Sequence, residues 1–328
     1  MEKIRWGILG TGRIARSFSE AINGCDDAEA YAAASRSEKK AEAFAKEFGY
    51  KKYYGSYEQL AADPDIDIIY IATPMSSHYD DVMMCLRRDK PVLCEKSVSV
   101  NARQLDDMIT LAHEKKLFFM EAMWMKCRPA FLKARELVRS GKIGSVTCAK
   151  ADFCNDVHYD ENDRLFRPDC GGGALLDLGV YVITFAADFL GYYPREIISG
   201  ARIGAGGVDF GNSVMLKYDG AAYAELSTGF DFTCRNNATV YGTEGSVRFG
   251  DYFFCTNEIS LCDKYGNITE KFTFKNEING YEYELREAQR CLREGLAESP
   301  LVPHSETTAI MDIMDECRRS WGLRYPFE

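Results

Sequence analysis

The chain is poor in the residues that hold metals and staple small folds. Its 328 residues include four histidines, and its twelve cysteines are scattered without a single C-x-x-C pair. A zinc site or a disulfide framework needs clustered ligands or paired spacing, so neither is expected. The thiols read as reduced and mostly buried. No apolar run approaches the ~18 residues that a membrane span needs. The opening MEKIRWGILG enters a strand pattern at once, without the apolar stretch and cleavage site of a signal peptide. A cytoplasmic location with no membrane partner is therefore expected. Positive charge is in deficit too: 40 Lys and Arg stand against 50 Asp and Glu, a net charge of −10. With no basic tract either, nucleic acid is not an expected partner.

What is present is patterned in two halves, as the length suggests (roughly 150 residues per domain). Strand-like and helix-like segments alternate at first. Strands are expected at 3–9, 28–34, 67–72, 91–94 and 117–120, and helices at 13–23, 38–48, 56–61, 76–88 and 102–115. Such alternation predicts a parallel sheet with helices on both faces. After Pro129 the pattern changes. A helix to about 140 and a strand at about 145–155 lead into a loop and the triple glycine at 171–173. A helix at 174–190 follows. From 195 to 274 the chain reads as strands separated by turns, with Asp219-Gly220 a two-residue hairpin cue. Helices at about 281–294 and 305–321 close the chain. The fold class is α/β: a doubly wound parallel-sheet domain over 1–122, then an α+β domain with an open, mainly antiparallel sheet over 123–328.

The first strand-to-helix turn holds the chemistry. Gly10-Thr11-Gly12-Arg13-Ile14-Ala15 is a G-x-G-x-x-A string that follows a strand and opens a helix. Gly10 permits the turn, Gly12 admits a pyrophosphate to the backbone, and Ala15 lets the helix pack on the sheet. The helix start supplies free N–H groups and a positive dipole end. An NAD site usually carries Asp or Glu at the end of the second strand, for the ribose 2′-hydroxyl. Here Ser35-Arg36-Ser37 stands there, with no acid before Glu38. Arg36 attracts a 2′-phosphate and the serines donate to it. NADP is the expected cofactor, with NAD possible.

Three further stretches belong with that turn: ATPMSSH at 72–78, CEKS at 94–97 and GGGALLDLGVY at 171–181. Together they resemble the Gfo/Idh/MocA (glucose–fructose oxidoreductase / inositol dehydrogenase) family over nearly the whole chain. EAMWMKCRP at 121–129 is similar to the branch that holds the dimeric dihydrodiol dehydrogenases and NADP-dependent sugar dehydrogenases. The resemblance implies a Rossmann domain and an open-sheet domain with the active site between them. It implies a homodimer or higher homo-oligomer formed through the C-terminal sheet, and a small-molecule substrate. Thr73, Pro74, His78, Glu95 and Lys96 would line the cofactor cleft. Two departures stand out. Ser97 replaces the family's proline, which often follows a cis peptide. A cis bond before a non-proline costs ~3 kcal/mol, so a trans or rearranged Lys96–Ser97 peptide is expected. Lys126 and Cys127 also stand where the branch has arginine and an aromatic ring.

The chemistry implied is hydride transfer between nicotinamide and the carbinol carbon of a sugar, polyol or cyclic diol. Tyr181 is the expected proton acceptor or donor, with Lys96 lowering its pKa and hydrogen-bonding the substrate oxygen; the two roles are exchangeable, because coupled groups share a proton. A tyrosine ordinarily titrates near 10, and a lysine ammonium and a positive nicotinamide ring would lower that. Asp177, four residues before Tyr181, shares its helix face and would bind a substrate hydroxyl or orient the pair. Trp124, Arg128, Phe166 and Arg167 are weaker substrate-pocket candidates, and no metal is required. Two other readings stay open: a non-catalytic dinucleotide-binding regulator on the same fold, and an enzyme with tightly held cofactor that exchanges hydride between sugars.

Overall fold

The computed structural model describes residues 2–328. In chain order, β1 (Ile4–Leu9), α1 (Arg13–Gly24), β2 (Ala28–Ala34), α2 (Glu38–Phe48), β3 (Lys52–Tyr54), α3 (Tyr57–Ala61), β4 (Ile68–Ile71), α4 (Met75–Arg87), β5 (Val92–Glu95), α5 (Ala102–Lys115) and β6 (Phe119–Ala122) come first. Then follow α6 (Pro129–Arg139), β7 (Val146–Cys154), α7 (Val180–Leu190), β8 (Glu196–Ile203), β9 (Asp209–Lys217), β10 (Tyr223–Gly229), β11 (Ala238–Gly242), β12 (Gly245–Phe249), β13 (Glu258–Asp263) and β14 (Ile268–Thr273). The chain closes with α8 (Glu282–Glu294) and α9 (His304–Trp321).

The chain forms two compact units. The first comprises residues up to Cys127 together with Asn276–Thr307; the second comprises Arg128–Lys275 and Thr308–Glu328. Sequence order draws a single cut at 122/123, whereas the chain returns to the first unit late. The reason is a set of contacts no local pattern encodes. The Trp6 indole N–H donates to Gln289 Oε1 at 3.1 Å, with both side chains wholly buried. Phe18 meets Tyr281 edge-on, and Arg293 pairs with Asp27 at 2.8 Å. So α8 covers the face of α1.

The sheet of the first unit is entirely parallel, in the order β3-β2-β1-β4-β5-β6. Helices on both faces explain why its central strands are continuous apolar runs, with all four residues of β4 (IIYI) buried. Strand order reverses between β1 and β4, the switch point beyond whose carboxyl ends ligands bind in such sheets.

The sheet of the second unit has eight strands in the order β14-β13-β12-β11-β7-β10-β9-β8. It is mixed rather than purely antiparallel: β7 and β10 run parallel, in register from Cys148↔Tyr223 to Cys154↔Gly229. A parallel pair needs a long crossover, and the segment bearing α7, β8 and β9 supplies it. The Asp219-Gly220 turn is looser than expected. Residues 219–221 bulge between a Tyr218 N–H and an Ala222 carbonyl 2.9 Å apart. The helical stretch Pro168–Leu190 is long and apolar enough to cross a membrane, contrary to the expectation of no such run. Its most apolar window is 78% buried within the protein, which accounts for that composition as core.

Candidate active site

The Gly10 turn is built for a close approach. Gly10 has φ +98°, and a Cβ there would lie 2.9 Å from the Ala72 carbonyl oxygen. The missing side chain lets the loop after β4 close onto the loop after β1. At Gly12 the opposite holds: a Cβ would meet nothing within 4 Å. Gly12 caps α1 without a side-chain hydrogen bond, and the first turn, starting at the exposed Arg13 and half-buried Ile14, contains no acid. Open space before uncapped, electropositive N–H groups fits a pyrophosphate.

At the end of β2, Ser35 is buried, its hydroxyl oxygen 3.4 Å from the Ser37 N–H. Arg36 is exposed and lies beside the Tyr57 hydroxyl of α3. Asp81 on α4 also faces it. Burial pushes the Asp81 carboxyl up to about 6, against the pull of the Thr73 hydroxyl that donates to it at 2.7 Å. Pro74 is the exposed N-cap of α4.

His78 of α4 ties two loops together. It is 1% exposed, with Nδ1 2.9 Å from the Ser97 carbonyl and Nε2 2.9 Å from the Thr73 carbonyl. The Lys96–Ser97 peptide is cis, which corrects the trans expectation. The surroundings fix it. Ser97 is wholly buried, His78 holds its carbonyl, and the next amide, Val98 N–H, donates to Glu121 Oε1 at 3.1 Å. Glu95 and Lys96 therefore leave β5 on a backbone held from two sides. The buried Tyr70 hydroxyl donates to Glu95, and Tyr70 itself stacks on Phe18 at 3.7 Å.

In the second unit, Leu175–Gly179 forms a π-helical turn that runs directly into α7. Such turns recur at functional positions. Asp177 lies in it and Tyr181 one turn on. At about 4.4 residues per turn, like the ordinary 3.6, a spacing of four keeps both on one face. Leu175 N–H donates to Asp209 Oδ2 at 2.8 Å, which anchors the turn. Asp177 pairs loosely with Arg164 at 3.5 Å. Tyr181 is 6% exposed, its ring set against Phe153 at 5.7 Å and Phe254 at 5.2 Å.

The remaining candidates sit as follows. Trp124 stacks on Tyr281 at 4.5 Å in the first unit. Arg128 is 2% exposed and donates to the Cys255 carbonyl and Asn257 Oδ1 at 2.8 and 2.9 Å. Phe166 is buried among Tyr159, Phe210 and Phe230. Arg167 pairs with Asp169 two residues on. The sequence reading did not single out Tyr57, Tyr70 or Glu121. For Glu121 a signal existed: it is the only charge in the apolar strand FFMEAM.

Residues 4–123 match the oxidoreductase family with an NAD-binding Rossmann fold, and residues 131–248 match the GFO/IDH/MocA C-terminal domain. The protein is therefore an NAD(P)-dependent oxidoreductase of the dehydrogenase and reductase type acting on CH–OH groups. It belongs to the Gfo/Idh/MocA family. Relatives include the trans-1,2-dihydrobenzene-1,2-diol dehydrogenases of mouse, 34% identical over 98% of both chains, and human, 33% identical over 98% of both. Among solved structures it is similar to KijD10, a 3-ketoreductase from Actinomadura kijaniata in complex with NADP and TDP-benzene. That likeness has a TM-score of 0.87 at 24% identity and covers 97% of this chain and 98% of that one. A levoglucosan dehydrogenase complexed with NADH and levoglucosan is similar at TM-score 0.86 and 18% identity, over 97% and 98%. At these identities the two structures speak for the fold.

Proposed function

We propose that the protein is an NADP-dependent dehydrogenase or reductase acting on the carbinol carbon of a cyclic diol, sugar or polyol. The observation that carries the cofactor choice is the end of β2, where exposed Arg36 follows buried Ser35 and no acid stands before Glu38. An acid there would repel a 2′-phosphate, whereas a guanidinium and serine hydroxyls bind one. The uncapped start of α1 holds the pyrophosphate. The dihydrobenzenediol dehydrogenases, a third identical over the full length, support the cyclic diol as substrate class.

When bound, the nicotinamide supplies or accepts the hydride. The chain's own residues handle the proton. Tyr181 gives or takes the hydroxyl proton, and the flanking Phe153 and Phe254 rings exclude water and fix its orientation. Lys96 holds the substrate oxygen and favours the ionised tyrosine. Asp177 binds a neighbouring hydroxyl or orients the pair. Glu95, Thr73, Pro74 and His78 shape the cofactor cleft, and Trp124, Arg128, Phe166 and Arg167 shape the substrate pocket. Twelve unpaired thiols support a reducing, cytoplasmic setting. A homodimer or higher homo-oligomer through the C-terminal sheet draws support from Ile198 and Ile203 on edge strand β8, both over 40% exposed.

A fluorescence titration with NADPH and NADH tests the cofactor choice. Wild type binds NADPH at least tenfold more tightly, and Arg36→Ala removes most of that preference, as loss of a charged phosphate contact should. Tighter NADH binding that Arg36→Ala leaves unchanged would overturn it.

A further inference from the structure

Glu121 is a buried carboxylate to which the proposed reaction assigns no role. It sits on β6 directly opposite Cys94 of β5, one residue before Glu95 and two before Lys96. It is 6% exposed. Its Oε1 accepts the Val98 N–H at 3.1 Å. The backbone after Lys96 is thus pinned twice, by His78 at the Ser97 carbonyl and by Glu121 at the next amide.

Three charged groups act on Glu121. Glu95 faces it from the end of β5, Lys96 from the residue after that strand, and Lys126 from the short turn at 124–127. Lys126, 2% exposed, is itself paired with Glu306 on α9. Burial pushes the Glu121 carboxyl up to about 7, while the Val98 N–H and the two lysines pull the other way. Its charge therefore changes within the working range of a cytoplasmic enzyme. Ionised, it is the stronger acceptor for Val98 and an attractive neighbour for the Lys96 ammonium. Protonated, it loses the second effect and weakens the first.

We propose that Glu121 is a positioning residue for Lys96, fixing the backbone that carries it and supplying a counter-charge that only the ionised carboxylate provides. The inference rests on the assignment of Lys96 to the reaction, but its first test needs no substrate.

The experiment compares wild type with Glu121→Gln, which keeps an acceptor for Val98 and removes the charge. Lys96 is acylated with a limiting amine-reactive ester, and its labelling rate is read by peptide mass spectrometry relative to an exposed control lysine. The comparison is made one to two pH units either side of 7. The ionised Glu121 carboxylate attracts the Lys96 amine's positive charge and restrains its backbone, so above pH 7 the variant labels Lys96 about threefold faster or more than wild type. Below pH 6 the two agree. Equal rates at both ends overturn the proposal. With any substrate found by screening, turnover of wild type shows an inflection near 7 that Glu121→Gln lacks. Its kcat is about tenfold lower above that pH, as for a displaced reacting group, with NADPH affinity unchanged. A variant profile that superimposes on wild type also overturns it. Lys96→Met serves as the separate control: normal turnover in that variant overturns the functional reading itself, whatever the labelling shows.

Discussion

Asp209 should make the second unit less stable as pH rises, and Asp209→Asn should remove that dependence. The carboxyl is wholly buried. One oxygen, Oδ2, takes both the Leu175 N–H and the Asn212 amide at 2.8 Å, while Oδ1 has no partner. Burial pushes its titration from 3.8 up to about 7. Between those values the folded chain holds a proton that the unfolded chain has released. Stability attributable to this group is therefore full below about pH 4 and is lost as pH climbs through 7. Integrating the proton difference from 3.8 to about 7 gives roughly 4 kcal/mol as an upper bound. Asparagine keeps an acceptor for Leu175 but places an amide where Oδ1 lacks a partner, at about 1–3 kcal/mol. The variant should be less stable than wild type near pH 5, and equal or more stable near pH 8.5, by about that bound less the amide cost. Other buried carboxyls titrate in the same window, so the wild-type curve alone does not isolate Asp209; the difference between the two proteins does. Urea unfolding at both pH values, followed by a probe in the second unit, reads it. A stability difference that does not change with pH would refute the argument.

Two glycines give further tests. Gly10→Ala combines φ +98° with a Cβ 2.9 Å from the Ala72 carbonyl. It should weaken NADPH at least tenfold by fluorescence titration while far-ultraviolet circular dichroism stays that of wild type, because the strain is confined to the turn. Gly173→Ala drives a Cβ into Asp209 Oδ1 at φ +119°. It should cost about 2–4 kcal/mol and lower turnover through the turn bearing Asp177, read by unfolding and activity together.

The first unit was largely legible from local pattern. Helix 102–115 and strand 28–34 fall on the expected residues, because amphipathic spacing and buried apolar runs encode them. Short β3 (KYY) was missed, since three residues carry no period. The return of α8 was not legible, because Trp6–Gln289 and Phe18–Tyr281 join positions hundreds of residues apart. At the candidate site, glycine and charge placement single out Gly10, Gly12 and Arg36 as the proposed cofactor contacts. The cis Lys96–Ser97 peptide and the buried Glu121–Val98 contact were not visible. Both depend on contacts between segments distant in sequence: His78 of α4 with the Ser97 carbonyl, and Glu121 of β6 with the Val98 N–H in the loop after β5.

One assay tests whether Lys96 and Tyr181 carry the proposed proton transfer that accompanies hydride transfer. Aldoses, polyols and cyclic diols are screened with NADP+ by the absorbance of reduced nicotinamide, and the best substrate is then given to wild type, Lys96→Met and Tyr181→Phe. Wild type should turn over the substrate, and each variant should lose at least a hundredfold, the scale of a removed general acid–base, with NADPH affinity within a few-fold of wild type. Turnover retained by both variants would contradict it.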